Sequence, residues 1–505
     1  MSTLLFGQSY YLNFDAKLWD AMQPYPPLGT MYAASVMRER GHDVALFDAM
    51  LASSEAEWAL ALEKEQPKYA IIFEDNFNYL SKMCLLRMRQ AAFAMIRMAS
   101  ERGCTVIVGG SDASDHSDLY LNCGADFVLI GEGEATVAEL IEILEEGEQI
   151  ESTQILGLAY KMGEESIITP RRPDIQDLDK LPFPAWDLID IEKYRNIWVE
   201  RHGYYSMNMV TTRGCPYHCN WCAKPIWGQR YNARSPQNVV EEMGWLKKKY
   251  APDHIWFADD IFGLKPGWLP EFAELIVEHK ALIPFKCLNR ADLLLREGEI
   301  EALAQAGCEI TWIGAESGSQ RILDSMDKGI HVAQIHQASQ AIHKAGFQVA
   351  YFLQFGYPGE SWEDVQSTIQ LVREGEPDDI GISVSYPLPG TKFYSAVKNQ
   401  LGVKQNWVDS QDLEMLFHGP FVTQFYRHLH GVIHKDYRSR KTWRRLTNRK
   451  HVTMREIASM ILHWFSLPFA RIRLKQLTTQ PSARLSVMPQ RLSPHAASKP
   501  SPQDE

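Results

Sequence analysis

The feature that most constrains the fold is a rhythm of short apolar runs alternating with helical patterns, which occurs twice along the 505 residues. Such alternation is typical of parallel sheets whose strands are joined by crossover helices. The first series predicts strands at 4–6, 44–47, 70–73, 105–108 and 127–130. The second predicts strands at 207–211, 254–257, 285–288, 310–313, 349–352 and 380–384. Because six repeats are fewer than the eight of a closed barrel, we expect a partial (β/α)6 barrel.

A chain of this length exceeds a single ordinary core, so several domains are expected. Changes in composition divide it into a first α/β domain, a proline-containing connector with a short hairpin, the partial barrel, a small helical and basic region, and a tail rich in Ser and Pro that we expect to be disordered. In that order the predicted boundaries are 1–150, 151–205, 206–400, 401–480 and 481–505.

The charge is unevenly distributed. The net charge is −11, yet residues 435–475 hold twelve Lys or Arg and two acidic residues, a local balance of +10. Together with the apolar residues between 457 and 469, this composition suits either a helix lying in a membrane interface or a helix docked on the barrel. The acidic remainder argues against nucleic acid, which requires a basic footprint.

The cysteine pattern and the N-terminus bear on the compartment. Of eight cysteines, five are scattered singly, which is typical of buried thiols in a reducing environment. The first twenty residues lack the pattern of a secretory signal, and no apolar run is long enough to span a bilayer. We therefore expect a cytoplasmic protein, with peripheral membrane contact left open.

Three cysteines stand apart from the rest. Cys215, Cys219 and Cys222 follow a predicted strand with the spacing C-x-x-x-C-x-x-C. Three thiolates on one loop can hold three corners of a [4Fe–4S] cluster, leaving one iron open to another ligand. The alternatives are a coincidence or a structural zinc site, but zinc requires four ligands in a closed shell, and His218 inside the triplet would strain that shell.

With Trp221 before the last cysteine, this motif resembles the signature of the radical S-adenosylmethionine (SAM) superfamily. The resemblance implies that SAM chelates the open iron, and that an electron from the cluster cleaves its sulfonium to give methionine and a 5′-deoxyadenosyl radical. It also implies a low-potential electron donor such as a flavodoxin or ferredoxin.

Further segments match the superfamily by position at predicted strand ends. Asp259 and Asp260 resemble the motif near the methionine amine of SAM. Glu316 and Ser317 lie in a G-x-E-S-G-like segment, and a third stretch resembles the one beside adenine. That third stretch contains Gly356 and Gly359. Each segment by itself is weak evidence, because the acidic residues could cap helices and the glycines could form turns. The order of the three segments after the cysteines nevertheless favours SAM binding.

The first α/β domain resembles the Rossmann-like (flavodoxin-like) cobalamin-binding domain that accompanies many radical SAM enzymes. The resemblance implies that the corrin contacts are the residues Pro27, Gly29, Gly109, Gly110, Gly131, Glu132 and Gly133. No D-x-H-x-x-G motif is present, so it implies cobalamin held without a histidine on cobalt, near the loop 74–76. The alternative is a degenerate flavodoxin-like domain that binds no corrin.

Three functions remain. The first is a cobalamin-dependent methyltransferase that acts on an unactivated carbon, and the second is an oxidative cyclase or rearrangement enzyme such as the anaerobic porphyrin ring cyclase. The third is a non-catalytic iron–sulfur protein, for which a three-cysteine site is a poor design. We expect a small-molecule, lipid or pigment substrate, with Tyr386 and Thr391 after the sixth barrel strand as candidate contacts.

Overall fold

The computed structural model describes residues 4–147, 155–222, 226–449 and 451–479, so the expected disorder of the tail 481–505 lies outside the described residues. Fifteen strands are present in this part of the chain. They are β1 (Leu4–Gly7), β2 (Val44–Leu46), β3 (Tyr69–Phe73), β4 (Thr105–Gly109), β5 (Phe127–Leu129), β6 (Leu158–Met162), β7 (Glu165–Ile168), β8 (Ser206–Met209), β9 (Thr212–Arg213), β10 (Asn232–Ala233), β11 (His254–Phe257), β12 (Phe285–Asn289), β13 (Cys308–Glu316), β14 (Gln348–Phe355) and β15 (Asp379–Val384).

Nineteen α-helices accompany these strands in the same described ranges. They are α1 (Ala16–Ala21), α2 (Leu28–Glu39), α3 (Ala56–Glu65), α4 (Tyr79–Met83), α5 (Leu86–Ser100), α6 (Ser111–Asp115), α7 (Ser117–Cys123), α8 (Glu134–Glu146), α9 (Ile191–His202), α10 (Pro236–Tyr250), α11 (Trp268–Glu278), α12 (Ala291–Leu294), α13 (Glu299–Gln305), α14 (Gln320–Ser325), α15 (Val332–Ala345), α16 (Trp362–Gly375), α17 (Lys392–Val397), α18 (Thr423–Thr447) and α19 (Met454–Leu477).

The first sheet has the strand order β2-β1-β3-β4-β5-β6-β7. Strands β1 to β5 are parallel, and the predicted hairpin adds β6 and β7 as antiparallel strands at one edge. All five residues of β3 are buried, as expected for a central strand covered by helices on both faces. The Rossmann-like prediction for this part of the chain is therefore confirmed.

One helix prediction for the first sheet is wrong. The apolar periodicity of residues 82–101 predicts one helix, but the structure has α4 and then α5. Cys84 breaks the run with a φ of +46°, in the left-handed region that ends α4. Apolar residues keep the same spacing on both sides of the break, so periodicity alone does not reveal it.

The second sheet is a partial barrel. Its strand order is β15-β14-β13-β12-β11-β8 and every pair is parallel, so the six predicted barrel strands are present and follow one another in chain order. The ends of the predicted strands differ from the observed ones by up to three residues, most at β13. Helices between the strands cover the outer face. The predicted α/β class with a partial barrel is therefore confirmed.

The C-terminal part is helical, as predicted. Helices α18 and α19 form a hairpin in which Met460, Leu467 and Leu474 of α19 are buried. None of the described helices is both long and apolar enough to cross a membrane. Of the scattered cysteines, Cys104 and Cys123 are only half-buried, so the expectation that all five are buried thiols is wrong for these two.

Candidate active site between the two sheets

The three cysteines lie on a loop closed at its base by a small antiparallel ribbon. Strands β9 and β10 pair with each other and bracket the loop. Gly214 enters the loop with a φ of +80°, and a Cβ atom there would collide with the carbonyl oxygen of Arg230. Cys215 is buried, Cys219 and Cys222 are half-buried, and none of the three is in a disulfide. The three cysteines thus lie on one loop at the carboxyl edge of the barrel sheet.

Asp259 ties this loop to the end of β11. Its carboxylate accepts hydrogen bonds from the backbone N–H groups of Thr211 and Thr212 at 2.7 and 2.8 Å, and from their hydroxyls at 2.8 and 3.0 Å. Burial raises the pKa of Asp259 to about 6, although the threonine donors oppose that rise. Because four protein donors already surround it, this carboxylate positions the cysteine loop; its predicted contact with SAM stays a prediction.

Asn220 fixes the middle of the loop. Its backbone N–H donates to the carbonyl of Met326 at 3.0 Å, and its side-chain amide donates to that of Ser325 at 2.7 Å. Its side-chain oxygen accepts from the Tyr357 hydroxyl at 2.8 Å. The segment between Cys219 and Cys222 is therefore held by residues that follow β13 and β14.

A buried ion pair stands beside the loop at the end of β13. Lys328 Nζ lies 2.8 Å from Glu316 Oε1, and it is 5.9 Å from the ring of Trp221. Burial disfavours the charged lysine, but Glu316 and the Cys219 thiol raise the pKa of Lys328 overall. Glu316 has a φ of +55°, which is uncommon for a residue with a side chain and marks functional sites. Lys328 thus places a cation next to the thiolates.

The other predicted SAM residues of the barrel make local contacts. The Ser317 hydroxyl lies 3.1 Å from that of Thr368. The backbone N–H of Gly356 donates to Glu360 at 2.7 Å, which closes the turn that includes Gly359. Burial raises the pKa of Glu360 to about 8. These contacts order the strand ends, and the role of the residues toward SAM stays a prediction.

The glycines predicted to contact the corrin ring pack against the loop that follows β3. The Gly29 N–H donates to Asp75 at 3.0 Å, and a Cβ atom on Gly110 would lie 2.7 Å from the Cβ of Glu74. Pro27 precedes α2 as its N-cap. The remaining glycines lie at the ends of β4 and β5, where a Cβ atom would meet Leu129 at Gly109, Arg171 at Gly131 and Phe73 at Gly133. Their contact with a corrin stays a prediction.

Burial is the largest cause of the pKa shifts in the loop that follows β3. It raises the pKa of Glu74 to about 7 and that of Asp75 to about 6, against the backbone donors that bind both carboxylates. Glu74 accepts from the Ser9 N–H at 3.2 Å, and hydrogen bonds from the backbone and side chain of Ser9 oppose the rise of its pKa. The carboxyl edge of the first sheet therefore carries buried polar groups.

The two carboxyl edges face each other through direct contacts. Lys82 Nζ lies 2.7 Å from Asp260 Oδ1; Lys82 belongs to α4, which follows β3 of the first sheet, and Asp260 to the loop after β11 of the second. Phe77 stacks on Trp227 with ring centroids 5.2 Å apart. Glu132 and Glu134, after β5, both bind Arg213, the residue just before the cysteine loop. The predicted site residues of the two sheets are thus brought to one interface.

Tyr79 lies at this interface. Its side chain is 53% exposed, yet burial raises its pKa, and the groups that raise it further are Cys222, Glu316 and Asp260. Tyr79, from the helix that follows β3, is therefore close to three residues of the predicted site on the barrel. Four residues of this interface are not among those predicted from the sequence, although one of them directly precedes the cysteine motif: Tyr79, Lys82, Lys328 and, before the motif, Arg213.

The residues suggested as substrate contacts are only partly suited to that role. Thr391 caps α17 by accepting from the Tyr394 N–H at 2.9 Å, so its hydroxyl has a structural use. Tyr386 is buried against Trp407, with ring centroids 4.6 Å apart. Both stay candidates without a direct observation. Among the described residues, no three His, Cys, Asp or Glu side chains are grouped to hold a single metal ion.

Known proteins share this arrangement. Residues 209–372 match the family model of the radical SAM superfamily. An uncharacterized methyltransferase of Pyrococcus horikoshii is 29% identical, covering 76% of this chain and 81% of its own. The anaerobic magnesium-protoporphyrin IX monomethyl ester cyclase of Synechocystis is 27% identical over 63% of this chain and 62% of its own, and the hopanoid C-3 methylase of Methylococcus capsulatus is 26% identical over 74% and 69%.

Solved structures share the fold. The cobalamin-dependent SAM radical enzyme OxsB superimposes with a TM-score of 0.69 at 18% identity, over 94% of this chain and 72% of its own. The radical SAM methyltransferase TsrM of Kitasatospora setae gives 0.64 at 18% identity, over 80% and 79%. Residues 209–372, which include the cysteine loop and much of the partial barrel, form a radical SAM domain. The two-sheet architecture of the chain is the fold of OxsB and TsrM.

Proposed function

We propose that this enzyme is a cobalamin-dependent radical SAM methyltransferase that acts on an unactivated carbon. The observation that carries the proposal is the contact between the two carboxyl edges, where Lys82 of α4 lies 2.7 Å from Asp260 of the loop after β11. A methyl carrier on the first sheet and a radical source on the second must serve one substrate, and this geometry places both edges around one cleft.

The residues present fit both metal-containing groups. Three thiols on one loop beside the Lys328 cation suit an iron–sulfur cluster, whose ligands are thiolates. The partly exposed Tyr79 and the buried carboxylates of Glu74 and Asp75 give the carboxyl edge of the first sheet a partly polar character, as a corrin with polar side chains requires. When bound, the cluster and SAM supply the 5′-deoxyadenosyl radical and cobalamin supplies the methyl group.

The chain itself positions these groups and excludes water. Asp259 fixes the backbone that enters the cysteine loop, and Asn220 fixes its middle. Lys328 stabilises negative charge on the cysteine sulfurs, because it lies close enough to Cys219 for the thiol to raise its pKa. The stacked Phe77 and Trp227 close one side of the cleft, which limits side reactions of a radical with solvent.

A second reaction has a specific observation behind it, since one relative is named as a porphyrin ester cyclase. Oxidative ring closure would use the same residues, and no methyl group would be transferred. Product stoichiometry separates the two reactions. A methyltransferase forms one S-adenosylhomocysteine and one 5′-deoxyadenosine per turnover, because it uses two SAM molecules differently. A cyclase forms 5′-deoxyadenosine alone.

The experiment is to incubate the reduced, cluster-loaded and cobalamin-loaded enzyme with methyl-labelled SAM and cell extract, and to follow the label and both nucleosides. We expect label in a non-nucleoside product and equal amounts of the two nucleosides. Consumption of an extract component with 5′-deoxyadenosine and no label in any product would refute methyl transfer. Flavodoxin or ferredoxin is the electron donor that we propose for this assay.

The substrate that we propose is a small molecule, and a lipid or pigment fits best. Relatives are named as a hopanoid methylase and as a bacteriochlorophyllide methyltransferase. A peripheral contact with an anionic membrane through α19 would bring such a substrate within reach. The outer face of α19 carries four strongly exposed apolar residues, here called the α19 stripe: Leu462, Phe465, Phe469 and Ile472.

Charge favours a membrane as the partner of the α19 stripe. Next to the stripe, a cavity of about 470 Å³ between α16, α18 and α19 is lined by side chains that include Arg440, Arg444, Arg471, Trp443 and Trp464, together with Asp436 and Glu376, which pair with these arginines. An apolar stripe flanked by arginines and tryptophans is the composition of an interfacial helix. Trp443 and Trp464 lie 5.5 Å apart and are about half exposed.

Vesicle flotation tests this contact. The enzyme should float with phosphatidylcholine vesicles that contain phosphatidylglycerol and much less with phosphatidylcholine alone. Changing both Phe465 and Phe469 to Ser should weaken binding more than tenfold, because each ring contributes about 2 kcal/mol when buried. Leu60→Ser removes an equally exposed apolar residue far from α19 and serves as the control. Unchanged flotation of the double variant would exclude the α19 stripe as the membrane contact. If the stripe instead binds a second copy of the chain, light scattering would detect a dimer.

A further inference from the structure

The inner face of the barrel sheet holds a lysine that has no carboxylate partner. Lys286 is the second residue of β12, and its side chain alternates with the outward-facing Phe285 and Cys287, which are fully buried. Its Nζ atom lies 4.2 Å from the ring centre of Trp256 and 5.4 Å from that of Tyr25. Within the described ranges, no carboxylate oxygen comes within 4.0 Å of it.

Buried cations elsewhere in the described residues have the carboxylate partner that Lys286 lacks. Each of the following lies within 3.0 Å of a carboxylate: Lys82 with Asp260, Arg213 with Glu132 and Glu134, Arg234 with Glu242, Arg290 with Asp292, and Lys328 with Glu316. Burial lowers the pKa of Lys286 to about 8, and the carboxylate of Asp379, more than 4.0 Å away, acts in the opposite direction, so the amine is still mostly charged at pH 7. An unpaired, desolvated cation costs stability, which suggests that it is kept for a ligand.

The surface around Lys286 is apolar and aromatic. Trp312 stacks on Phe352 with ring centroids 4.6 Å apart, and both face the barrel interior with Lys286. Phe352 is 39% exposed although it belongs to β14, which has a neighbouring strand on each side. Gly381 lies opposite Phe352, where a Cβ atom would come within 3.0 Å of its ring. The barrel therefore has an open inner surface of rings with one cation.

The position of Lys286 along β12 determines its distance from the carboxyl edge of the barrel, where the cysteine loop lies. Lys286 stands three residues before Asn289, the last residue of β12, which corresponds to about 10 Å at the rise of a strand. The cysteine loop and the Lys82–Asp260 pair lie at the carboxyl edge. A ligand that reaches from that edge to Lys286 needs an apolar body of about 10 Å.

We propose that the barrel interior binds an apolar substrate through one anionic group, such as a carboxylate, held by Lys286 between Tyr25 and Trp256. The reactive carbon then lies at the other end of the molecule, toward the cysteine loop. This inference rests on the proposed function, since it names the substrate class of the same cleft. The rings supply contact area, and the single cation sets the orientation and selects a monoanion over a neutral analogue.

A matched pair of fluorescent probes tests the inference without turnover. 4-(1-Pyrenyl)butyrate and 4-(1-pyrenyl)butanol differ only in the anionic group, and the tryptophans can transfer energy to both. We expect the full-length, cluster-loaded enzyme to bind the acid about tenfold more tightly than the alcohol, which corresponds to about 1.4 kcal/mol. The Lys286→Met variant should bind both probes equally, with its affinity for the alcohol changed less than twofold.

Lys249→Met is the matched control, because Lys249 also lies over a tryptophan, 4.9 Å from the ring centre of Trp245, but on the exposed side of α10. It should keep the tenfold preference. Equal affinity of the wild-type enzyme for both probes, no binding of either, or an unchanged preference in Lys286→Met would each overturn the inference.

Unfolding gives a second readout. If Lys286 serves a ligand, Lys286→Met should unfold at higher denaturant concentration than the wild type, whereas a lower midpoint would indicate a structural lysine and would also overturn the inference. Because neither measurement involves SAM cleavage, failure here leaves the proposed radical chemistry untouched, and failure of SAM cleavage leaves these results interpretable.

Discussion

Arg213 bridges the two sheets by holding two carboxylates at once: its Nη1 lies 3.0 Å from Glu132 and its Nη2 lies 2.7 Å from Glu134. All three side chains are less than 8% exposed. Two residues after Arg213 comes Cys215, so the first sheet is tied to the start of the cysteine loop. Glu132, predicted as a corrin contact with Gly131 and Gly133, therefore has a second role at the interface.

Arg213→Ala should destabilise the chain strongly, because it leaves two buried carboxylates without their cation. We expect the free energy of unfolding to fall by about 3–5 kcal/mol in urea titrations at pH 7. Arg38→Ala is the control: Arg38 pairs with Asp187 on the surface, where both side chains are over 40% exposed, so its loss should be below about 1 kcal/mol. Similar losses for the two variants would contradict the role given to Arg213.

Cys219→Ala should remove the iron–sulfur cluster, since two thiolates do not hold a cubane with one open iron. Anaerobic reconstitution followed by iron analysis and visible spectroscopy measures the cluster, and 5′-deoxyadenosine formation measures its activity. Cys123→Ser, a half-buried cysteine on α7, should leave both unchanged. Undiminished SAM cleavage by Cys219→Ala would rule out the cluster assignment.

Glu74→Gln should change the pH dependence of stability. Burial raises the pKa of Glu74 from 4.5 to about 7 in the folded chain. The folded state therefore binds the proton more tightly, so the stability from Glu74 is fully present below pH 4.5 and is lost as the pH rises through 7. Between pH 5 and 8 the wild type should lose about 2–3 kcal/mol more than Glu74→Gln.

Urea unfolding of the cofactor-free chain at both pH values measures this difference. Glu63→Gln, which alters a glutamate with a 63% exposed side chain, should keep the wild-type slope. A Glu74→Gln slope equal to that of the wild type would show that Glu74 titrates normally in the folded chain.

Gly110→Ala should disturb the carboxyl edge of the first sheet. The backbone there has a φ of +149°, and the added Cβ would lie 2.7 Å from the Cβ of Glu74, so strain and overpacking together should lower the free energy of unfolding by about 2–4 kcal/mol. Cobalamin retained after gel filtration should fall as well.

Gly41→Ala is the matched control, because Gly41 also has a positive φ, +86°, but no atom lies within 4 Å of the Cβ position. Gly41→Ala should lower the free energy of unfolding by only about 1–2 kcal/mol, which is the cost of a left-handed backbone conformation for a residue with a side chain. Cobalamin retention should be normal. Equal costs at the two glycines would show that the Glu74 contact has no energetic effect.

Local sequence patterns predict most of the fold. Every predicted strand is present because the apolar runs and the glycines at strand ends are local signals, and a parallel sheet buries its strands on both faces. The single helix expected over residues 82–101 is divided because Cys84 adopts a left-handed conformation, a choice that periodicity does not encode. The cysteine spacing likewise indicates the cluster loop, because all three thiols lie within eight consecutive residues.

The sequence by itself therefore determined the two βα series, the cysteine loop and the glycine-bearing strand ends, since each depends on residues close together in the chain. Only the tertiary structure decided which charges meet: Lys82 with Asp260 across 178 residues, and Arg213 with Glu132 across 81. It also left Lys286 unpaired among aromatic rings. Such pairings depend on how two sheets pack together, and the free energy of that packing comes from the whole interface, so no local pattern in the sequence specifies them.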